Sequence, residues 1–354
     1  MSAAGRVTIA GLAARLGLSK ASVSYALNGQ PGVSDETRER VLALADELGW
    51  HPSSSARALS RSLSDTIGIV LRRDPELLGT EPYYMSLLAG VEAELSATGQ
   101  SLLLRMVGTA PGQDVAVYRR WSAEGRVDGV MLFDITIDDP RPRLLDELGL
   151  AFVLHGNREE VAPGRVLRYD AGGDAGLIVR HLAGLGHRRA LHIQGPGDFE
   201  HEQDRRTAVA AEAVHAGMTV AFETSDYSMA AGERLAARGL AADPGITAVI
   251  TSNDLLAHGA QAALAAAGRD DVALVAWDDS LLCRLGSRPI TALDRSAEEQ
   301  GRRATRMLLD QLYGLPASVH RAKPSRLVVR STSLPAREGE LTPARGQKTL
   351  AENA

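Results

Sequence analysis

Between Ser19 and Asn28 the chain reads Ser-Lys-Ala-Ser-Val-Ser-Tyr-Ala-Leu-Asn. At 3.6 residues per turn, Val23, Ala26 and Leu27 share one face, while Lys20, Ala21, Ser22, Ser24, Tyr25 and Asn28 point away from it. The outward residues are short or polar, which suits phosphate oxygens and base edges. The free N–H groups at the start of such a helix also attract a phosphate. A small helical bundle that merely packs is the plainer reading of the same run. Elsewhere the chemistry is thin. Gly172-Gly173-Asp174-Ala175-Gly176 is glycine-rich but lacks the lysine and spacing of a phosphate loop, and reads as a turn opening a helix. There is no His-Glu-x-x-His motif, and the nine histidines show no ligand spacing, so neither a metal nor a cofactor is expected. Asp278 and Asp279 are sequence neighbours, whereas a glycosidase needs carboxylates facing each other across a substrate. No Gly-x-Ser-x-Gly elbow occurs either. The chain does not read as an enzyme.

Three short helices must position the outward face. Thr8 caps the first, with Ile9, Leu12, Ala13 and Leu16 at helical spacing and Gly17 as its stop. Ser19 caps the second, Lys20 to Leu27, and the breaker-rich Asn28-Gly29-Gln30-Pro31-Gly32 follows. Ser34 caps the third, with Val41, Leu44, Ala45 and Leu48 as its buried stripe and Gly49 as its end. Two helices joined by a short Gly-containing turn form a helix-turn-helix signature.

From Asp65 onward apolar strands alternate with amphipathic helices. The strands expected are 66–71, 102–107, 129–133, 151–154, 166–169, 190–193, 220–223, 248–251 and 272–277, with helices such as 82–98, 173–185, 205–215 and 255–266. This alternation implies parallel sheets covered on both faces. The body is too long for one typical sheet, so two lobes are expected, with a ligand between them at the C-terminal ends of the strands.

Composition agrees. A hydrophobic share of 44% with 23% charged residues excludes wholesale disorder. The single cysteine, Cys283, excludes an internal disulfide. No apolar run approaches the roughly 18 residues of a membrane span, and the N-terminus lacks the apolar core of a signal peptide, so a cytoplasmic protein is expected. The net charge is −5, but residues 1–61 carry seven Lys/Arg against five Asp/Glu, a small excess compatible with nucleic-acid contact confined to that end.

The run from Thr8 to Gly29, continued by Val33-Ser34-Asp35-Glu36-Thr37-Arg38-Glu39-Arg40-Val41 and Leu48-Gly49-Trp50-His51-Pro52, resembles the headpiece of the lactose-repressor family of bacterial transcription regulators. Further on, Leu185-Gly186-His187-Arg188-Arg189, Ser252-Asn253-Asp254, Trp277-Asp278-Asp279, Ile290-Thr291-Ala292-Leu293 and Leu327-Val328-Val329-Arg330-Ser331 stand in that family's order, so the resemblance spans about residues 6–335. It implies an N-terminal all-α helix-turn-helix headpiece (1–52), a hinge segment (53–61) and an α/β, periplasmic-binding-protein-like effector domain with parallel sheets (62–335). Three crossovers would make each lobe discontinuous: 62–167 with 291–325, and 168–290 with 326–335. The tail, 336–354, is polar, lacks leucine heptads and reads as disordered, which favours a homodimer over a tetramer.

By the same resemblance the second helix lies in the major groove of a near-palindromic double-stranded DNA operator. Lys20, Ala21 and Tyr25 would read bases, with Thr8, Ser19, Ser22, Ser24 and Asn28 nearer the backbone. Ser53, Ser54, Ala56 and Leu59 would belong to a hinge that folds on DNA, with Leu59 wedged into the minor groove. Family members usually carry Asn and Arg where this chain has Ser53 and Ser54, and a serine run is also a plain flexible linker. Four positions match effector contacts: Arg205 (or Arg206, one register away), Asn253, Asp278 and His155. Arg72, Tyr83 and Tyr84 would face the cleft, and Trp277 would stack on a sugar or simply be core. The implied function is a repressor of sugar uptake or catabolism genes, controlled by a carbohydrate-like effector. A solute-binding protein serving a transporter would share the body fold but not the headpiece.

Overall fold

Thr8, Ser19 and Ser34 each stand in extended conformation before a helix, and each hydroxyl accepts the backbone N–H three residues on, from Gly11 at 3.2 Å, Ser22 at 3.0 Å and Thr37 at 3.3 Å. Such a cap contributes about 1 kcal/mol. The helices are α1 (Ile9–Leu16), α2 (Lys20–Leu27) and α3 (Asp35–Glu47). Gly17, in the left-handed region at φ 64°, closes α1 as expected. Leu12, Val23 and Val41 are fully buried and, with Ala13, Ala26 and Ala45, form the core on which Trp50 and Leu48 pack. The computed structural model describes residues 7–50, 63–73, 81–108, 110, 112–315, 320–333 and 335. The chain divides into two compact units at Ser64/Asp65. The expected hinge and the tail from 336 lie outside the described residues.

The second unit holds two six-stranded sheets of the same winding. The first comprises β1 (Thr66–Arg72), β2 (Ser101–Val107), β3 (Gly129–Leu132), β4 (Ala151–His155), β5 (Val166–Arg168) and β11 (His320–Arg321), in the order β2-β1-β3-β4-β5-β11. The second comprises β6 (Arg189–Gln194), β7 (Thr219–Thr224), β8 (Ala248–Thr251), β9 (Ala273–Ala276), β10 (Thr291–Asp294) and β12 (Arg326–Val328), in the order β7-β6-β8-β9-β10-β12. Only β12, against β10, is antiparallel among the described pairs. Every residue of β3, β8 and β9 is buried, as sheets covered on both faces require.

Helices supply the cover. On the first sheet α4 (Pro82–Thr98) and α12 (Ala297–Leu312) pack on one face, α5 (Gln113–Ala123) and α6 (Arg141–Leu148) on the other. On the second, α9 (Met229–Ala242) and α10 (Asp254–Ala266) pack on one face, α7 (Ala171–Gly184) and α8 (Glu200–His215) on the other; the short α11 (Leu281–Arg284) follows β9. Gly90 of α4 abuts the Glu298 carbonyl of α12, and Gly301 of α12 abuts the Leu87 carbonyl of α4, so a methyl at either would run into backbone. Gly232 and Gly259 make the same close approach between α9 and α10.

Three boundaries differ from the sequence reading. Residues 291–294, assigned there to the first lobe, form β10 of the second sheet: Thr291 and Ala292 pair with Val275 and Ala276, and Ala292 with Val328. The reason is burial, since Thr291, Ala292 and Leu293 are inaccessible and extend the β9 edge. The crossover therefore falls at Arg295–Ser296, with the others at Tyr169–Asp170 and at 322–325. Helix α7 starts at Ala171 because Asp170 accepts the Gly173 N–H at 2.8 Å. Helix α8 starts at Glu200, which places Arg205 in its second turn rather than at its start. Among the described residues no helix is long and apolar enough to cross a membrane.

Candidate functional site

In the first unit the outward face of α2 is as the periodicity requires. Lys20 and Ala21 are exposed, and Tyr25 is 42% exposed, unusual for a large ring beside a core. The ring lies against Gly32, whose φ of 115° and lack of a side chain both suit the approach. Thr8 and Ser19 are exposed but their hydroxyls serve as helix caps. Ser22, Ser24 and Asn28 are half-buried: Ser22 exchanges a hydrogen bond with Ser19 at 2.9 Å, and Asn28 donates to Ser24 at 3.3 Å. An ammonium, a methyl and a phenol are left facing outward. Ser53, Ser54, Ala56 and Leu59 lie outside the described residues.

In the second unit a cavity of about 70 Å³ lies between the sheets, at the strand ends where the winding reverses. Its lining includes Tyr83, Tyr84, His155, Arg205, Asn253, Trp277 and Asp278, bringing together seven residues expected at the effector site. Arg72 is not among them. It ends β1 half-buried, and its neighbour Arg73, 6% exposed, faces the cavity instead. The alternative Arg206 turns away, donating to Gln194 at 3.1 Å with its guanidinium over Phe222.

Each guanidinium on the lining is tied to a carboxyl group. Arg205 donates to Glu202 at 2.7 Å and to the Ser252 carbonyl at 3.1 Å, and its guanidinium lies 5.0 Å from the centre of the Trp277 ring. Burial alone would raise the Glu202 carboxyl, but Arg205, His201 and the Ser252 hydroxyl overrule it and hold it at about 2. Arg73 meets Asp134 at 2.9 Å and Glu81 at 3.4 Å, boxed by the rings of Tyr84, Phe199 and Tyr227. Tyr84 donates to Asp134 at 2.6 Å. Arg295, at the crossover, donates through Nε to Asp278 at 2.9 Å and covers the Tyr83 ring. Asp279, by contrast, faces Arg330 and Arg284.

His155 and Tyr83 both bond the Gln300 side-chain oxygen, at 2.7 and 3.3 Å. A carbonyl oxygen only accepts, so His155 carries its proton on Nε2. Burial pushes His155 down to about 4 and His201 to about 3, so both are neutral at pH 7. Asn253 caps α10 through Leu256 N–H at 2.8 Å and donates to the Tyr227 carbonyl at 3.2 Å, so it is both a helix cap and a cavity wall. Trp277 is 1% exposed, hence core and wall together.

The lobes touch across the cleft. Thr136 bridges Phe199, Glu200 N–H donates to the Ile135 carbonyl at 2.8 Å, Asn157 N–H donates to the Glu200 carboxyl at 2.9 Å, and Asn157 Nδ2 donates to Asp204 at 3.0 Å. Sequence reasoning missed Arg73, Glu81, Phe133, Asp134, Tyr169, Asp174, His201, Tyr227 and Arg295 on the lining. For Phe133, Asp134 and Tyr169 a signal existed, since they directly follow β3 and β5. Arg295, directly after β10, carried the same signal, and for Tyr227 there was none.

Comparison with known proteins agrees with both units. The profile of bacterial regulatory proteins of the lacI family matches residues 8–53, and that of the periplasmic binding protein-like domain matches 179–333. The transcriptional regulator CelR of Thermobifida fusca is 32% identical over 339 residues, 92% of this chain and 96% of its own length. A ribose operon repressor of Halalkalibacterium halodurans is 27% identical, covering 92% and 97%. Among solved structures, a CelR–cellobiose complex superposes with a TM-score of 0.70 at 29% identity, over 92% of this chain and all of that one. The lac repressor dimer bound to operator and an anti-inducer superposes at 0.81 with 23% identity over 93% and 99%, a likeness of fold.

Proposed function

The chain belongs to the lacI family of bacterial regulatory proteins, DNA-binding transcription regulators rather than enzymes, and on that premise we propose that it is a cytoplasmic, homodimeric repressor of sugar uptake or catabolism genes, released from or recruited to its operator by a carbohydrate. Lys20, Ala21 and Tyr25 read bases in the major groove, while the caps of α1 and α2 and the polar Ser22, Ser24 and Asn28 fix the backbone. The residues 53–59, with Leu59 as wedge, complete the DNA contact.

The observation that carries the reading is that one chain joins the exposed Lys20–Tyr25 face to an enclosed cleft walled by aromatic rings and hydrogen-bonding groups. Arg205, Asn253, Asp278 and His155 orient the carbohydrate, Trp277, Tyr83 and Tyr84 supply ring faces, and Arg73 rather than Arg72 completes the wall at the end of β1. The relative CelR, solved with cellobiose, makes a glucose disaccharide the first candidate. The crossovers let the lobes change angle, and a sugar that prefers one angle shifts operator affinity. The coupling is reciprocal, so a sugar that weakens DNA binding must itself bind the DNA complex more weakly.

The test is selection of binding sites from a random duplex pool by the full chain at fixed salt, followed by titration of cellobiose, maltose and ribose into the enriched complex. An inverted repeat whose affinity changes with one sugar is the expected result. Sequence-blind, salt-sensitive binding with every sugar would overturn the regulator reading.

A further inference from the structure

Among the described residues three guanidiniums face the cleft, and each is already paired with a carboxyl group. Arg73 is held by Asp134 and Glu81, Arg205 by Glu202, and Arg295 by Asp278. Two further carboxyl groups line the same cavity, and neither has an ion pair with a guanidinium among the described residues. Asp254, in the first turn of α10, is 2% exposed, and Asp174, in the first turn of α7, is 6% exposed. Asp254 Oδ1 takes the Leu255 N–H and the carboxyl has the Ser280 hydroxyl as a neighbour, while among the described residues the buried Oδ2 has no hydrogen bond of good geometry. Asp174 has the Ser325 hydroxyl, on the third crossover, as a neighbour. Burial raises both carboxyls, Asp254 to about 6. Five acidic side chains thus line this small space beside three guanidiniums, with Glu202 behind Arg205 and the Glu81 carboxyl pushed up to about 7 by burial.

A buried acceptor with unused lone pairs is stabilised by a donor. Sugar hydroxyls supply donors without charge. A phosphate or carboxylate on the ligand would instead meet Asp174 and Asp254 directly, and would have to share guanidiniums whose charge Asp134, Glu202 and Asp278 already balance. We infer that the cleft takes an uncharged carbohydrate and rejects its phosphorylated or acidic counterpart, with Asp174 and Asp254 as the specificity-determining acceptors. This rests on the reading of the cleft as a carbohydrate site and goes beyond it by fixing the charge of the ligand. It also gives Asp174 a part that the glycine-rich run around it, read as a simple turn, did not suggest.

Calorimetry on the full-length protein tests it with matched pairs: glucose with glucose 6-phosphate and gluconate, and cellobiose with 6-phosphorylated cellobiose. The neutral member of the binding pair should bind at least about 30-fold tighter, because like charges juxtaposed in a desolvated site are strongly disfavoured. Asp174→Asn, which keeps shape and removes charge, should narrow that ratio by roughly tenfold; Asp174→Ser serves if the first variant melts early. Equal or tighter binding of a charged member would overturn the inference and leave the carbohydrate reading standing. An unchanged ratio in both variants would remove Asp174 as the selecting group. If no sugar of either kind binds while operator binding persists, the carbohydrate reading itself fails, and the inference with it.

Discussion

The outward face of α2 and the interlobe cleft are both recognition surfaces, yet they are built in opposite ways. In the headpiece, three side chains reach outward and owe nothing to one another, while a core of six buried residues holds the helices beneath them. In the cleft each recognising group is also a structural tie: Arg205 to Glu202, Arg295 to Asp278, Asn253 to the start of α10. Function and stability are therefore separable in the first region and fused in the second.

The sharpest way to break that contrast is Arg205→Ala. It removes the counter-charge of Glu202, which is fully buried and keeps only the neutral donors Gly195 N–H, Tyr227 and Ser252, and removing one partner of such a pair costs about 3–5 kcal/mol. Denaturant melts followed by tryptophan fluorescence should show the body destabilised as well as the sugar response lost. A response lost at unchanged stability would mean the two roles are separable here too. Next comes Leu12→Ala, which empties the centre of the small headpiece core at about 2–5 kcal/mol. Operator binding should disappear while calorimetric sugar affinity stays as it was, because the two units have separate cores; a parallel loss of sugar binding would refute their independence.

Tyr25→Ala is milder and cleaner. Mobility-shift titration should show about 1–3 kcal/mol lost against the selected operator, with the melting midpoint within about 0.5 kcal/mol of the parent. The smallest effect sharpens the contrast through pH. Burial pushes the Glu200 carboxyl up to about 7, above its ordinary 4.5, while it accepts the Asn157 N–H from the other lobe. The folded state then binds more protons than the unfolded one between these values, so this group's contribution declines as pH rises from about 4.5 through 7. Glu200→Gln should flatten the fall of the melting temperature between pH 5 and 8, and an equally steep fall would discount the carboxyl.

Legibility in the sequence follows the same divide. The headpiece was readable because a helix period and a cap are local: Ser19, Val23 and Tyr25 lie within seven residues and declare which way each points. The strands were readable for the same reason, and with them the ends at Asn253 and Asp278. The partners were not. Arg295 pairs with Asp278 across 17 residues and a change of direction, and Gln300 bonds His155 across 145. No period links such positions. Arg72 and Arg73 stand one residue apart at the end of β1, and the strand period does not say which of the two meets the cavity. The assignment of Thr291–Asp294 to the wrong lobe has a similar cause, since a four-residue apolar strand carries no label for the sheet whose edge it completes.

The glycine contacts between α4 and α12, and between α9 and α10, bear on the mechanics of the whole body. Helices that touch backbone to backbone have no compliant side chains between them to absorb a load. Each lobe is therefore a stiff plate, and a ligand's pull has no soft interior in which to dissipate. The load passes instead into three thin straps of chain, one of which, Arg295–Ser296, is bolted directly to the end of α12.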